Sequence, residues 1–386
     1  MRQGDNLNRK LTGTTKLPGA SIVAIVTSLF GLAGLAALII SVAGCSGGSS
    51  IASKPSTSSE ALWVPNFYAS NLVEYLARQL DLSGDTAPQI TNASAPVVNP
   101  EATLFDKKGN LWVTNCSDPI NDAGTIIEFS RGQLSSLGSN PEPNQALTDD
   151  GTFNLLDCPY GAQFDTSGNL WVVNRFFPNL VEFTPSQLKA GGPQIPNTNI
   201  QSDDFQDPEG IAFDTNGTLW ITDVFFSEVD GFKAATLAAA SGTETVLVPD
   251  ILNSSSALNG ATAVAFDPAQ NQWVANCFSN TVVKFLATDI TATGSPTPAV
   301  TIGSTTVTTP GGSADSVSCP EGLAFDKRGH LWVSNLQSDT FGSLAEFTTD
   351  QLASSGSPAP AVFIDADSTG SNLNEPVLLS FGPSVP

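Results

Sequence analysis

One stretch of this chain, residues 319–335 (CPEGLAFDKRGHLWVSN), recurs in variant form along most of its length. Alternating apolar residues, a turn containing Asp326 and Gly329, and a second β-rich run predict a β-hairpin. In the turn, Asp326 can hydrogen-bond to nearby backbone, and Gly329 can take the positive φ of a short loop. Further copies, each with Phe-Asp and Trp at fixed offsets, cover residues 100–115, 159–174, 208–223 and 261–276. In the last copy we expect Asn271 to replace the turn glycine, because asparagine tolerates the left-handed conformation.

The tryptophans set the period of the repeat. All six belong to the pattern and are spaced 49, 59, 49, 53 and 59 residues apart: Trp63, Trp112, Trp171, Trp220, Trp273 and Trp332. Such self-similarity indicates a repeat architecture. Between hairpins lie two more strand-like stretches joined by a helical turn, clearest where Thr184 and Gln187 form a capping-box pattern. The turn recurs at residues 78–80, 130–134 and 348–352. Four short strands per repeat are typical of a β-propeller blade.

The two ends of the repeat region complement each other. Six tryptophans indicate six blades, but no inner strand precedes Trp63. Residues 376–381 match residues 320–325 in length and apolar spacing, so we expect them to complete the blade begun by residues 62–66. Such closure removes the free sheet edges. The sequence therefore predicts an all-β fold, one six-bladed β-propeller of four-stranded antiparallel blades over residues 61–386.

The N-terminal residues carry a targeting pattern. Four basic residues precede an uncharged apolar run at residues 21–44, which is long enough to span a bilayer if it is retained as an anchor. The run ends in Val-Ala-Gly-Cys45-Ser, which resembles the bacterial lipobox, whose cysteine is lipidated and becomes the new N-terminus. We expect residues 1–44 to be a lipoprotein-type signal peptide, Cys45 a membrane anchor in the cell envelope, and residues 45–60 a flexible tether.

The charge of the chain argues against one class of partner. The whole chain has a formal charge of −22, and the leader contributes +3, so the remainder carries −25. Nucleic-acid binding needs clustered Lys and Arg, whereas the remainder has eleven such residues, without a patch. We expect a monomer with no nucleic-acid partner. A cationic ligand or a metal ion is compatible with the acidity.

Four further cysteines occupy matched positions. Cys116 and Cys277 directly follow a Trp-x-x-Asn strand end, Cys158 and Cys319 directly precede the next hairpin, and both spacings are 42 residues. Of the three possible connectivities we predict Cys116–Cys158 and Cys277–Cys319. Closing such loops is worth about 4 kcal/mol each, and disulfides fit an oxidising periplasm or cell surface. The alternative, four unrelated buried thiols, would make the matched positions a coincidence.

The repeat pattern Pro-Glu-Gly-Ile/Leu-Ala-Phe-Asp-x-x-Gly-x-Leu-Trp-Val-x-Asn resembles NHL-repeat propellers and the related regucalcin/gluconolactonase-like and virginiamycin B lyase-like proteins. The resemblance covers essentially the whole chain after the leader. It implies an architecture more than an activity, because the motif residues mostly build blades. Chemistry like that of virginiamycin B lyase would, by this resemblance, need a histidine near the channel. His330 is the single histidine, and we expect it to be a solvated turn residue at the opposite end of the strands.

The start of each inner strand provides the first candidate site. Read blade by blade, this position holds Val377, Glu101, Tyr160, Glu209, Thr262 and Glu321. Glutamates on alternate blades would converge on one channel, where they raise one another's pKa or recruit a cation. The gluconolactonase resemblance implies a divalent metal, here Ca²⁺, held by Glu101, Glu209 and Glu321, and a lactonase-type hydrolase. That family mixes acid and amide ligands, which this set does not, and the alternative is that each glutamate pairs within its own inter-blade loop.

The residue three after each tryptophan forms a second ring: Asn66, Asn115, Asn174, Asp223, Asn276 and Asn335. A side chain that bonds backbone at the end of the second strand would explain every member at once. Asp223, the single acid, is the candidate for a general base or an additional ligand.

The loops after the second strands of three consecutive blades carry aromatic residues. These loops contain Arg175, Phe176, Phe177, Phe225, Phe226 and Phe278. They predict an apolar patch on the face at the channel mouth, although packing between blades would explain the phenylalanines equally well. The sequence favours a cell-envelope propeller that binds a partner protein or a small ligand at this face, with the metal-dependent hydrolase as the alternative.

Overall fold

The computed structural model describes residues 60–116, 124–149, 155–309, 312–336, 342–365 and 372–384. The apolar run at 21–44, the lipobox cysteine Cys45 and the tether up to residue 59 lie outside the described residues. Within the described ranges, no helix has the length and apolar character needed to cross a membrane.

The described residues form six blades, each an antiparallel sheet whose strands follow one another from the inside of the ring outward. The strands of blade 1 are Ser380–Pro383, Glu60–Asn66, Asn71–Leu76 and Ile90–Asn92; of blade 2, Pro100–Phe105, Leu111–Asn115, Thr125–Phe129 and Gln145–Thr148; of blade 3, Pro159–Phe164, Leu170–Asn174, Asn179–Phe183 and Thr198–Gln201; of blade 4, Pro208–Phe213, Leu219–Asp223, Glu228–Phe232 and Ile251–Asn253; of blade 5, Ala261–Phe266, Gln272–Asn276, Thr281–Phe285 and Val300–Gly303; and of blade 6, Pro320–Phe325, Leu331–Leu336, Gly342–Phe347 and Val362–Asp365. The all-β propeller predicted from the repeat is confirmed.

Four short strands lie outside the four-stranded pattern of the blades. Gly192–Pro193 adds a parallel fifth strand to blade 2, and Glu244–Val246 adds one to blade 3. Thr306–Thr309 pairs with Gly312–Asp315 in a separate hairpin between blades 5 and 6. Both added strands come from the connection that follows the next blade's third strand, so each ties neighbouring blades together at the rim.

Blade 1 is closed by the two ends of the propeller, as predicted. Glu60–Asn66 pairs with Ser380–Pro383, with Leu62 opposite Phe381, and a bridge joins Asn66 to Pro376. The strand from the C-terminal side thus takes the inner position that the other blades fill with the preceding strand of their own repeat.

The hairpin turns follow the expected chemistry with one correction. The turn glycines Gly109, Gly168, Gly217 and Gly329 have φ between +76° and +88°. In blade 5 the positive φ of +65° belongs to Gln270, not to Asn271. Asn271 instead donates its side-chain amide to Asp267 at 2.9 Å. The prediction for Asn271 was therefore wrong by one position. Gln270 takes the left-handed conformation of the turn glycine, and Asn271, the residue after it, contacts the aspartate.

The core lies between blades. The tryptophan of one blade meets the phenylalanine of the next at ring-centroid distances of 5.9–6.3 Å in Trp63–Phe105, Trp112–Phe164, Trp220–Phe266 and Trp273–Phe325. Such offset aromatic pairs add to the area that the rings bury. Because each Trp-bearing face packs on the next blade, the repeat motif accounts for ring formation as well as for each hairpin.

Short helices decorate the outer connections. They are the α-helices Arg131–Leu134, Pro185–Ala190 and Ala234–Ala240 and the 3₁₀ turns Leu137–Ser139 and Gln351–Ala353. The capping box predicted at Thr184 and Gln187 is present, and Ser130 and Gln133 form another. Ala234–Ala240 was not anticipated, since its N-cap Lys233 makes no side-chain cap.

Both predicted disulfides are confirmed: Cys116–Cys158 and Cys277–Cys319. Each joins the residue after the second strand of one blade to the residue before the inner strand of the next. Disulfides of this kind belong to proteins of oxidising, exported compartments.

Candidate functional site

A β-bulge at the start of the inner strand positions the first ring of candidate residues. In blades 2 to 6 the pairing register shifts directly after the first residue of that strand. A bulge changes the direction in which a side chain points. The residues at this position are 2–8% exposed, and in blade order they are Val377, Glu101, Tyr160, Glu209, Thr262 and Glu321.

Hydroxyl groups hold these bulges against one another. Thr222 accepts from the Gly210 N–H at 2.8 Å and donates to the Thr262 carbonyl of the next blade at 2.9 Å. Thr114 makes the same connection from blade 2 to the Tyr160 carbonyl at 2.7 Å. Thr262 itself donates to the Pro320 carbonyl at 2.6 Å. Its hydroxyl therefore joins blades 5 and 6.

Arg175 brings a positive charge to this ring, a role that the sequence analysis did not assign. Its Nε lies 2.6 Å from Asp207 Oδ1, and one terminal nitrogen lies 3.3 Å from Glu209 Oε1. The guanidinium carbon also stands 5.5 Å from the centre of the Tyr160 ring, a cation–π arrangement. The sequence contained one signal for this role: Arg175 directly follows the second strand of blade 3, at the position that Cys116 occupies in blade 2.

Glu209 and Glu375 each leave one carboxylate oxygen, Oε2, buried and without a hydrogen-bond partner among the described residues. Glu375 was also missed. It precedes an inner strand, as Cys319 does. Tyr160 donates its hydroxyl to Glu321 Oε2 at 3.4 Å. We call these seven residues the mouth cluster: Glu101, Tyr160, Arg175, Asp207, Glu209, Glu321 and Glu375.

Burial raises the pKa of every glutamate in the mouth cluster. For Glu101 and Glu209 the pKa lies well above its usual range, for Glu321 it is about 8, and for Glu375 about 7. Arg175 lowers these pKa values in part. Burial alone would lower the pKa of Arg175, but Glu209 and Asp207 outweigh it and raise that pKa. One permanent cation therefore faces carboxyl groups whose pKa values burial raises, and a second cation would lower those pKa values.

The three glutamates proposed as metal ligands share this electrostatic environment, but their carboxylate oxygens do not all lie within 4.8 Å of one another. Among the described residues, Glu101 has potential ligand atoms within 4.8 Å in Cys116 and Cys158, and Glu321 has them in Cys277 and Cys319. A third group, Asp326, His330 and Glu346, lies at the opposite end of the strands. The cysteines are in disulfides, so they offer no thiolate. Glu101, Glu209 and Glu321 do not form such a group with one another. A shared ion would require these side chains to move toward each other.

The channel continues beyond the cluster. A cavity of about 560 Å³ is lined by inner-strand residues of all six blades, including Thr103, Gln163 and Ala263. The mouth cluster is not part of its wall. Since the ring residues are almost fully buried, they form a layer across one end of the channel. Arg175, Asp207 and Glu375 are the members that are partly exposed, and the cluster is accessible from outside through them.

The side chains of the second ring form hydrogen bonds with backbone groups, as the regularity of the ring predicted. The five asparagines donate their side-chain amides to carbonyls in the loop before their own inner strand: Asn66 to Asn372, Asn115 to Pro96, Asn174 to Leu155, Asn276 to Ala257 and Asn335 to Ser316. Asp223 reverses the polarity and accepts from the N–H groups of Gln206, Asp207 and Phe226 at 2.7–2.9 Å. A general-base role for Asp223 stays a prediction.

The predicted phenylalanines are exposed rather than packed between blades. Their exposed fractions are 58% for Phe176, 44% for Phe177, 62% for Phe225, 43% for Phe226 and 64% for Phe278. They lie in the turns after the second strands, on the same face as the mouth cluster. We call these five residues the phenylalanine patch. Tyr68, in the corresponding turn of blade 1, is 64% exposed as well.

His330 lies at the opposite end of the strands, as expected, but the expectation that it is solvated was wrong. Its side chain is 19% exposed, and Nδ1 lies 2.8 Å from Glu346 Oε1. The Arg328 guanidinium pairs with Asp326 at 2.7 Å and with Glu346 at 2.6 Å. The turn is therefore folded back onto the third strand, which covers the imidazole.

Comparisons with known proteins establish the fold alone. No family model matches the chain, and no curated protein does. A protein of unknown function from Bacteroides caccae shares the architecture with a TM-score of 0.54 and 8% identity, over 84% of this chain and 98% of that one. Virginiamycin B lyase from Staphylococcus aureus matches with a TM-score of 0.43 and 12% identity, over 65% of this chain and 67% of that one. A streptogramin B lyase matches with a TM-score of 0.42 and 10% identity, over 83% of this chain and 92% of that one.

Proposed function

We propose that this protein is an exported binding propeller, held at the membrane by a lipid on Cys45, whose mouth face binds a protein partner that presents a basic side chain among apolar ones. The observation that carries the proposal is the juxtaposition of the mouth cluster with the exposed phenylalanine patch. The electrostatic and the apolar halves of this surface point to the same kind of partner.

The electrostatic half comes from the mouth cluster. Within the part of the chain that the structure describes, five carboxyl groups face a single cation, Arg175, and Glu209 Oε2 is buried without a hydrogen-bond partner. A lysine or arginine side chain of a partner would reach the cluster at Glu375 and Asp207, which are partly exposed, and would place a second positive charge beside the buried glutamates. Pairing of this kind contributes more to specificity and association rate than to affinity.

The apolar half comes from the phenylalanine patch. Large aromatic side chains surrounded by polar surface are the usual centres of protein–protein interfaces. Phe225 and Phe226 stack edge to face at 5.3 Å. Gly260 lets Phe278 lie against the backbone, since a Cβ there would approach the ring to 2.7 Å. The patch spans blades 3 to 5, wider than a small ligand needs, and therefore favours a protein partner.

The test uses labelled peptides with one arginine flanked by leucine or phenylalanine, and otherwise identical peptides with glutamine in place of arginine. We expect the arginine peptides to bind at least about tenfold more tightly, which corresponds to roughly 1.4 kcal/mol. Phe225→Ser/Phe226→Ser should abolish binding, and Asp207→Asn/Glu375→Gln should erase the preference for arginine. The matched control is Val246→Ser/Val248→Ser, since these valines are 65% and 73% exposed away from the patch. Equal binding of both peptide sets, or of neither, would contradict the proposal.

The metal-dependent hydrolase stays the alternative. It requires Glu101, Glu209 and Glu321 to hold Ca²⁺ with an open coordination position. Calorimetric titration of Ca²⁺ into metal-stripped protein, beside the Glu101→Gln/Glu209→Gln/Glu321→Gln variant, separates the two. Stoichiometric binding that the variant loses would favour the hydrolase and justify a screen of lactones.

A further inference from the structure

Blade 4 departs from the other five blades on the face that it turns toward blade 3. In every blade, the residue three after the tryptophan lies opposite the first or second residue of the third strand. In five blades this pair is neutral and hydrogen-bonded through its side chains: Asn66–Asn71, Asn115–Thr125, Asn174–Asn179, Asn276–Thr281 and Asn335–Ser343. In blade 4 it is Asp223 opposite Glu228. Two carboxylates directly opposite each other in a sheet are destabilising.

A third acid extends the departure. Asp230 lies two residues after Glu228, so both side chains are on the same face of the strand. It is opposite Ile221. The corresponding residues in the other blades are aliphatic: Val73, Ile127, Val181, Val283 and Ala345. In blade 4, a carboxyl group therefore occupies a position at which the other blades have an aliphatic side chain.

Asp230 is completely buried, and neither of its side-chain oxygens has a hydrogen-bond partner among the described residues. Its strand neighbour Ile221 belongs to an apolar cluster with Phe205 and Phe232. Burial, together with the negative charges of Glu228, Asp204 and Asp223, raises the pKa of Asp230 to about 9. A buried carboxyl with two unsatisfied oxygens costs stability unless a proton or a cation accompanies it.

We propose that Asp230, Glu228 and Asp204 form a Ca²⁺ site at the junction of blades 3 and 4. Ca²⁺ takes carboxylate oxygens in flexible geometry and accepts several such ligands at once. Asp223 contributes charge rather than a ligand, because its oxygens already accept three backbone N–H groups. At the mouth, Arg175 supplies the positive charge, whereas at this junction the groups that act on Asp230 are acids.

The ligands differ in how much they would have to move. Asp230 is fixed by its strand, while Asp204 and Glu228 are partly exposed. The three carboxylates do not lie within 4.8 Å of one another. The proposed site therefore requires the two partly exposed side chains to turn toward Asp230 when the ion binds.

The experiment compares the full chain with a variant in which blade 4 carries the residues of the other blades, Asp223→Asn/Glu228→Asn/Asp230→Val. In EDTA-treated parent protein, saturating Ca²⁺ should raise Tm by roughly 5 °C, with one ion bound by calorimetry. The variant should show no such shift, and in EDTA it should unfold at or above the Tm of the parent. If the triple variant does not fold, the isosteric Asp230→Asn should still lose at least about tenfold in Ca²⁺ affinity.

Two outcomes would overturn the site. A parent protein that does not respond to Ca²⁺, together with a stabilised variant, would mean that Asp230 is only a buried neutral acid. A response that survives in the blade 4 variant but is lost in Glu101→Gln/Glu209→Gln/Glu321→Gln would place the ion at the mouth. The peptide experiment does not depend on either result, so the two proposals fail independently.

Discussion

Two kinds of junction between blades use one pair of positions differently. After blades 2 and 5, the residue that follows the second strand is a cysteine bonded to a cysteine before the next inner strand. After blade 3, the same two positions hold Arg175 and Asp207, which form an ion pair. The backbone supports the equivalence, because the residue after the second strand donates its N–H in each case to the residue before its own inner strand.

The disulfides and the ion pair differ in what they contribute to the structure. A disulfide fastens neighbouring blades and carries no charge. The ion pair fastens them and also directs a guanidinium at Glu209, which the disulfides cannot do. The covalent junctions thus serve the ring, whereas the ionic junction also sets the charge of the mouth cluster. This distinction predicts different consequences when each link is broken.

Breaking a covalent junction should have the largest effect. Cys277→Ser/Cys319→Ser should lower the free energy of unfolding by about 4 kcal/mol, because the unfolded chain is no longer closed into a 42-residue loop. Denaturant unfolding monitored by tryptophan fluorescence measures it. Cys116→Ser/Cys158→Ser opens a loop of the same length and should cost a similar amount. Unchanged stability in both variants would contradict a fastening role.

Breaking the ionic junction should have a smaller effect on stability. Arg175→Met removes the partner of Glu209, which is 3% exposed, and should cost about 2 kcal/mol because a buried carboxyl loses its counter-charge. The same denaturant experiment measures the loss. Adding Glu209→Gln to this variant should recover part of it, since the group left without a partner is then neutral. A loss that the second substitution does not reduce would mean that Arg175 acts through packing.

The mouth cluster should also impose a pH dependence on the stability of the fold. The folded pKa values of Glu321 and Glu375 are about 8 and about 7, above the usual glutamate value near 4.3. The folded state therefore binds more protons than the unfolded state, and stability present at pH 4 should be lost as the pH rises through 7 and 8. Tm measured from pH 4 to 9 should fall less in Glu321→Gln/Glu375→Gln. An identical slope in parent and variant would contradict these assignments.

The repeat made the fold readable from sequence, and it also explains what sequence reasoning missed. Spacing located the hairpins, the disulfides and the closing strand, since each recurs or completes a recurrence. Gln270 was misassigned because its left-handed position has no sequence signal apart from alignment to the turn glycine. Features that occur once are invisible to such reasoning until equivalent positions are compared in space.

Arg175 and Asp230 illustrate that limit. Arg175 was grouped with the phenylalanines beside it, and its approach to Glu209 depends on how blades 3 and 4 meet. The sequence analysis did not single out Asp230, because strand alternation alone does not tell which face is buried against the neighbouring blade. The contrast with Val181 and Val283 emerges only once the register aligns the third strands.

The closure of blade 1 has a consequence for how such a chain acquires its shape. Asn374 donates its N–H to Asn66 across 308 residues of sequence, so the ring is completed by contacts between its most distant parts. Contacts of such long range are slow to form. Until they do, the other assembled blades would expose an unpaired strand edge on Glu60–Asn66 and leave Trp332 without Leu379, against which it packs in the closed ring. That nascent edge, open to pairing with other chains, is what chaperones in the compartment where it folds would have to cover.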